Sequence, residues 1–161
     1  MGRKTKILVI GYGNPGRQDD GLGVMLVDEL HSWTEKNQLD FVFTDSNYQL
    51  SLEDAATIAD FDVVVFADAS RADVSDFLLE KLEASPAAEF TMHAVSPAFI
   101  LYVCGQIFRR RPQAFLLHIR GYKWEFMAEP SAGALKNLQR ALAYMKDYIL
   151  DYGQKEIDHA T

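Results

Sequence analysis

The sequence predicts an α/β fold, a three-layer α/β/α sandwich around a mixed, mostly parallel sheet of about five strands with helices on both faces. Two observations carry that expectation. Short apolar runs that end on Gly or Asp read as strands buried on both sides. Between them lie segments whose apolar residues recur every three or four positions, the period of a helix with one buried face. Strands and helices that alternate along a chain join through right-handed crossovers, so the strands run parallel and need helices above and below. Length sets the scale. The 161 residues match one domain of about 150, so residues 1–161 are expected to form a single domain with one core.

Each element has a local reason. Lys6-Ile-Leu-Val-Ile10 is almost continuously apolar and stops at Gly11, which makes it the first strand. After Gly21, the residues Leu22, Met25, Leu26 and Leu30 fall three and four apart, predicting a helix that starts just past Asp19 and Asp20 and ends near His31 or Trp33. Residues 41–44, Phe-Val-Phe-Thr, form a second strand. Ser51-Leu-Glu-Asp54 has the spacing of a capping box, with Asp in place of Glu, and opens a helix to about Ala59. Residues 61–66 give a third strand that leads to Asp68. Leu, Glu and Lys favour helix over residues 77–82, yet we read this stretch as a fourth strand. Ser96-Pro97 supplies an N-cap and a first helical residue for a helix through about Phe108, which Pro112 stops. Residues 115–119 are the last strand, and a long closing helix runs from Ser131 to about Tyr152. Residues 84–88 read as a surface loop.

Composition excludes several classes of function. Sixteen Lys and Arg against 23 Asp and Glu leave a formal charge of −7. A surface that acidic repels phosphate backbones and anionic lipid, so neither nucleic acid nor membrane is an expected partner. Apolar residues at 48% and charged residues at 24% give the balance of a folded globule, not of a disordered or collagen-like chain. The single cysteine, Cys104, cannot form an intramolecular disulfide. Apolar stretches such as 63–67 and 114–117 fall far short of the roughly 20 residues of a membrane helix. Residues 7–10 are also shorter than the apolar core of a secretion signal, and Gly-Tyr-Gly-Asn follows where a small-residue cleavage site would stand. The expected location is the cytoplasm.

Chemistry concentrates in the first loop. Gly11-Tyr-Gly13-Asn-Pro-Gly16 satisfies G-x-G-x-x-G directly after a strand, the pattern of a dinucleotide site. Such a site lays pyrophosphate on helix-terminal amides, whereas here Asp19 and Asp20 occupy the entrance to the helix. The same six residues resemble the opening of the peptidyl-tRNA hydrolases, a single-domain α/β family. Those continue with a Tyr and an Arg-His-Asn segment that bears the catalytic base; this chain continues Arg17-Gln18-Asp19-Asp20-Gly21, with no His before His31. An ester hydrolase of that type stays open as an alternative. A third pattern covers more of the chain. Gly11-Tyr-Gly13-Asn14 and Asp19-Asp20-Gly21-Leu-Gly23 are followed by Tyr48-Gln49-Leu50, Val65-Phe-Ala-Asp68-Ala69, His93 with Ser96-Pro97, and Leu116-Leu-His-Ile-Arg120-Gly121 with Trp124-Glu125. In this order, over about residues 6–152, the segments resemble the hydrogenase maturation proteases, the endopeptidases that trim the large subunit of nickel-iron hydrogenases.

The resemblance implies a site. In that family an acidic residue after the first strand, an Asp after the third and a later His form a metal-binding trio, and by motif these map onto Asp20, Asp68 and His93. Asp20 is the residue directly before Gly21, which leaves Asp19 as a helix cap or a partner behind it. Two carboxylates and an imidazole make a partial ligand set for a divalent ion of borderline hardness such as nickel or zinc, with positions left open for water or substrate. The strand-to-helix connections of a doubly wound sheet meet at one rim, where the three are expected to converge. Taken singly, each has a plainer reading: a helix cap, a turn residue and a solvated His. Cys104 falls inside an apolar helix, where a core role is expected, and no H-E-x-x-H occurs. The resemblance therefore implies metal-assisted hydrolysis. It also implies that the ion is the nickel already seated in the substrate, and that the partner is the large-subunit precursor, which loses its C-terminal extension. A non-catalytic nickel-binding chaperone would use the same trio without turnover and is the other alternative. Asp45 and Gln49 are candidates for contact with the substrate tail, and Arg109-Arg110-Arg111 reads as cations at a helix C-terminus.

Overall fold

The computed structural model describes residues 4–87 and 95–160. Its strands are β1 (Ile7–Tyr12), β2 (Val42–Asn47), β3 (Val63–Ser70), β4 (Phe77–Leu82) and β5 (Gln113–Arg120), and its helices α1 (Leu22–Lys36), α2 (Asp54–Ile58), α3 (Pro97–Phe108) and α4 (Ala132–Ala160). A short 3-10 turn, Gln18–Gly21, precedes α1. One five-stranded sheet has the order β2-β1-β3-β5-β4. All neighbours are parallel except β4, which runs antiparallel to β5 at the edge. The expected mixed, mostly parallel sheet is what the chain forms.

Alternation along each strand divides the core into two layers. Ile7, Val9, Val63, Val65, Leu117 and Ile119 pack against α1 and α4 through Leu22, Leu26, Leu30, Leu138 and Met145. Leu8, Ile10, Val64, Phe66 and Ala114 pack on the opposite face against α2 and α3 through Ala55, Ile58, Ile100, Leu101 and Cys104. The β4 segment is a strand despite its helical propensity because the sheet edge takes it: Phe77 and Leu79 join one layer and Leu82 the other.

Several boundaries differ from the pattern-based ones. β1 continues past Ile10 to Tyr12 because its ladder with β2 persists to the pair Tyr12 and Asn47. β3 starts at Val63 and runs past Phe66 to Ser70, since each residue of that stretch pairs with β5 up to Ser70 and Arg120. α1 extends to Lys36 and α4 to Ala160, both beyond the expected ends. α2 begins at Asp54, not at Ser51. The capping-box carboxylate of Asp54 still accepts from the Ser51 N–H at 2.8 Å. α3 has the expected bounds: Ser96 Oγ accepts from the Phe99 N–H at 3.2 Å, and the helix ends where Arg109 turns left-handed. Among the described residues no helix is long and apolar enough to cross a membrane.

One close approach sets how α1 meets the sheet. Gly23, in the first turn of α1, lies so close to the end of β3 that a Cβ there would overlap the Ala67 carbonyl oxygen. Replacing Gly23 by Ala must push backbone away from backbone, for which overpacking costs of about 1–3 kcal/mol are typical. Gly23→Ala is therefore expected to lower the thermal midpoint by about 2–12 °C, read by circular dichroism. An unchanged midpoint would contradict the contact.

Candidate functional site

The carboxyl ends of β1 and β3 carry the site. β1 ends at Tyr12, and Gly13 then takes a φ of 134°. A side chain at Gly13 would overlap the Asp20 carbonyl oxygen, so the loop can fold back on the turn before α1 only with glycine here. The Asn14 N–H donates to Asp20 Oδ2 at 3.0 Å and fixes that carboxylate at the loop's inner edge. β1 and β3 stop pairing at Gly11 and Ala67, so Asp68 is the first β3 residue past the ladder with β1. The approach of Gly23 to Ala67 then puts the start of α1, and Asp20 with it, next to Asp68.

The electrostatics follow from that packing. Burial, then the charge of Asp20, raise the Asp68 pKa to about 7, against hydrogen bonds from the Ala69 N–H and the Tyr12 hydroxyl that favour the carboxylate. Tyr12 is itself pushed well above its ordinary value, first by burial and then by Asp68, so it keeps its proton and its hydroxyl donates a hydrogen bond to the Asp68 carboxylate. Of the expected trio, then, Asp20 and Asp68 are brought together. His93 lies outside the described residues. Among the residues described on either side of it, the Ser85 N–H donates to the Ala98 carbonyl at 3.1 Å. Among the described residues no three His, Cys, Asp or Glu side chains are grouped to hold a metal ion. His118, beside Asp68 in the β3–β5 register, is engaged instead by Glu80, with Nε2 and Oε2 2.9 Å apart.

Sequence reasoning passed over Tyr12. Its signal was weak, because an aromatic between two glycines reads as a turn residue until the partner of its hydroxyl is known. Asp19 does not cap α1: the cap position is Gly21, with no side-chain bond. Its carboxylate is fully buried and turned toward the segment between β5 and α4. Asp45 and Gln49 are exposed at and just past the carboxyl end of β2. Arg110 pairs with Asp62, 3.7 Å away and just ahead of β3. The arginine run therefore sits at the opposite rim from Asp68. Cys104 is buried, its thiol pushed up by burial and donating to the Arg110 carbonyl at 3.1 Å, which leaves no nucleophile there.

The Asp68 environment makes stability depend on pH. A carboxyl group whose pKa rises on folding supports the folded state in full only below the unfolded-chain value of about 3.9. That support is lost as pH rises through about 7. Asp68→Asn is expected to be more stable than the native chain at pH 8 by about 1–3 kcal/mol and to lose that advantage by about pH 4. The full move from 3.8 to about 7 would be worth about 4 kcal/mol, and partial exposure reduces it. Urea unfolding at the two pH values measures the gap; the same gap at both would contradict the burial of a repelled charge.

No family model matches the chain, and neither does any curated protein. Solved structures do. A [NiFe] hydrogenase maturation protease, HycI, from Thermococcus kodakarensis KOD1 is similar at a TM-score of 0.73 and 20% identity, covering 92% of this chain and 94% of that one. The hydrogenase maturating endopeptidase HybD from E. coli is similar to the same extent, at a TM-score of 0.73, 20% identity and coverage of 92% and 94%. A hydrogenase 2 maturation peptidase from Thaumarchaeota archaeon SCGC_AB-539-E09 covers 90% of this chain and 98% of its own at a TM-score of 0.63 and 21% identity. The chain has the fold of the hydrogenase maturation proteases.

Proposed function

We propose that the chain is a hydrogenase maturation endopeptidase that removes the C-terminal extension of a nickel-iron hydrogenase large-subunit precursor after nickel insertion, in the cytoplasm. One observation carries the reading. Two carboxylates from separate parts of the sequence, Asp20 and Asp68, meet at the carboxyl ends of β1 and β3, close enough that the charge of one helps hold the other's pKa at about 7. The shared fold, over 92% of the chain, supports it. His93 is proposed as the third member. It belongs to the segment that leads into α3, and α3 packs on the sheet face of Tyr12 and Phe66, which Asp68 shares by alternation.

The donor set fits a divalent cation, because the charge of Asp20, which adds to burial in raising the Asp68 pKa, is what a bound positive charge would offset. Asp20, Asp68 and His93 would hold it, and when bound it supplies polarisation of the scissile carbonyl. The protein's own groups supply the rest. A carboxylate oxygen of the pair not taken up by the ion accepts the proton of a water attacking the scissile carbon and passes it to the departing amide nitrogen as the C–N bond breaks. Tyr12 keeps its proton and orients the Asp68 carboxylate. If the ion arrives with the precursor, the site is complete only when nickel has been inserted, and cleavage reports on assembly.

Incubation with a nickel-loaded precursor is expected to shift the large subunit to its trimmed mobility, while nickel-free precursor stays uncut. Asp20→Ala, Asp68→Ala and His93→Ala are each expected to slow trimming by about 10²–10⁴-fold with an unchanged circular dichroism spectrum. Trimming preserved in all three variants refutes the trio. Tight binding of the loaded precursor without cleavage would replace the protease by a chaperone, and hydrolysis of peptidyl-tRNA would replace it by an ester hydrolase.

A further inference from the structure

We propose that Asp19 is a positioning residue for the site: its buried carboxylate latches the segment between β5 and α4 onto the loop that carries Asp20, and so holds Asp20 against Asp68. The proposal rests on the reading of Asp20 as a site residue.

Asp19 is 0% exposed, and an ionised carboxylate tolerates such burial only when its lone pairs are met. Four donors meet them. The Tyr122 and Lys123 N–H groups donate to Oδ2 at 2.8 and 2.9 Å, the Ser131 N–H donates to Oδ1 at 2.7 Å, and the Ser131 hydroxyl donates to Oδ2 at 2.7 Å. Burial alone would raise the Asp19 pKa, but these bonds, led by that from Tyr122, outweigh it and keep the carboxylate charged. Ser131 in turn accepts from the Ala134 N–H, so the latch is continuous with the start of α4.

The residues before Asp19 follow the same course. The Asp19 N–H donates to the Lys123 carbonyl at 3.1 Å, and Gln18 Oε1 accepts from the Glu125 N–H at 3.1 Å. Arg17 Nε donates to the Trp124 carbonyl at 3.0 Å, and Gly16 accepts from the Met127 N–H at 2.9 Å. Two non-glycine residues in this seam, Gln18 and Met127, hold positive φ values of 48° and 57°. Such conformations persist where surrounding bonds over-determine them. Gly121 packs directly on Asp19, where an added Cβ would lie 2.9 Å from the Asp19 Cβ. Gly16 through Asp19 are thus fixed one by one, and Asp20 leaves the seam to meet the Asn14 N–H and face Asp68. A side chain serving only as a cap would need none of this; a site that must place one carboxylate beside another does. The latched segment also displays Phe126 and Met127, 70% and 98% exposed, along the same loop.

Asp19→Asn tests the proposal, since it keeps the volume but turns one acceptor into a donor that faces other donors. Amide hydrogen exchange and precursor cleavage are measured on the full chain. Exchange at Tyr122, Lys123 and Ser131 is expected to accelerate at least about ten-fold, and so is exchange at Asn14, whose N–H reports the place of the Asp20 carboxylate. In cleavage, kcat is expected to fall at least about ten-fold with a smaller change in KM. Ser131→Ala removes one donor of the four and is expected to give smaller changes of the same kind if the Asn variant does not fold. Unchanged exchange at the latch residues overturns the proposal. So does a loosened latch with Asn14 exchange and kcat unaltered. A native chain that cleaves nothing overturns the proposed function instead, and Asn14 exchange then decides the latch by itself.

Discussion

The site depends on one backbone-to-backbone contact, the approach of Gly23 at the start of α1 to Ala67 near the end of β3. No side chain stands between helix and strand there, so the residues just before the helix and just after the β1 ladder are forced into the same small volume. Those residues are Asp20 and Asp68. The burial of Asp68, and then the like charge of Asp20, oppose folding at neutral pH, and Asp68 holds its proton up to about 7. A chain selected for stability alone has no use for such a pair. Its presence at the carboxyl ends of parallel strands, the rim where α/β sheets bind ligands, is the physical argument for a site.

The two apolar layers keep this arrangement from relaxing. Leu22 and Leu26 anchor the first turns of α1 on one face of the sheet, while Phe66 anchors β3 on the other. Helix and strand can separate only by opening one of these layers. The latch at Asp19 acts on the remaining free element, the loop itself, from outside the core.

Much of this was legible in the sequence because burial on both faces leaves a simple mark. Ile7 to Ile10 and Val63 to Phe66 are apolar without alternation, and that pattern belongs to the inner strands of a covered parallel sheet. The mark fails where polar residues continue a ladder. Tyr12, Asp68 and Ser70 are strand residues that no apolar pattern could include, and the first two belong to the proposed site. That Asp20 and Asp68 lie near each other was legible through their place in ordered motifs. Tyr12 was not, because its hydroxyl gains meaning only from Asp68, and Asp19 was underread because its donors lie in a segment far along the chain. His93 stands on motif order, with α3 behind it on the face that Asp68 shares.

The most direct test of the proposal that Asp20 and Asp68 bind a cation is a crystal structure of the chain soaked with nickel(II). The expected result is one ion bound by oxygens of Asp20 and Asp68 and a nitrogen of His93, at ligand distances of about 2.0–2.3 Å. Carboxylates of Asp20 and Asp68 held more than about 7 Å apart, with any ion bound elsewhere, would contradict the account.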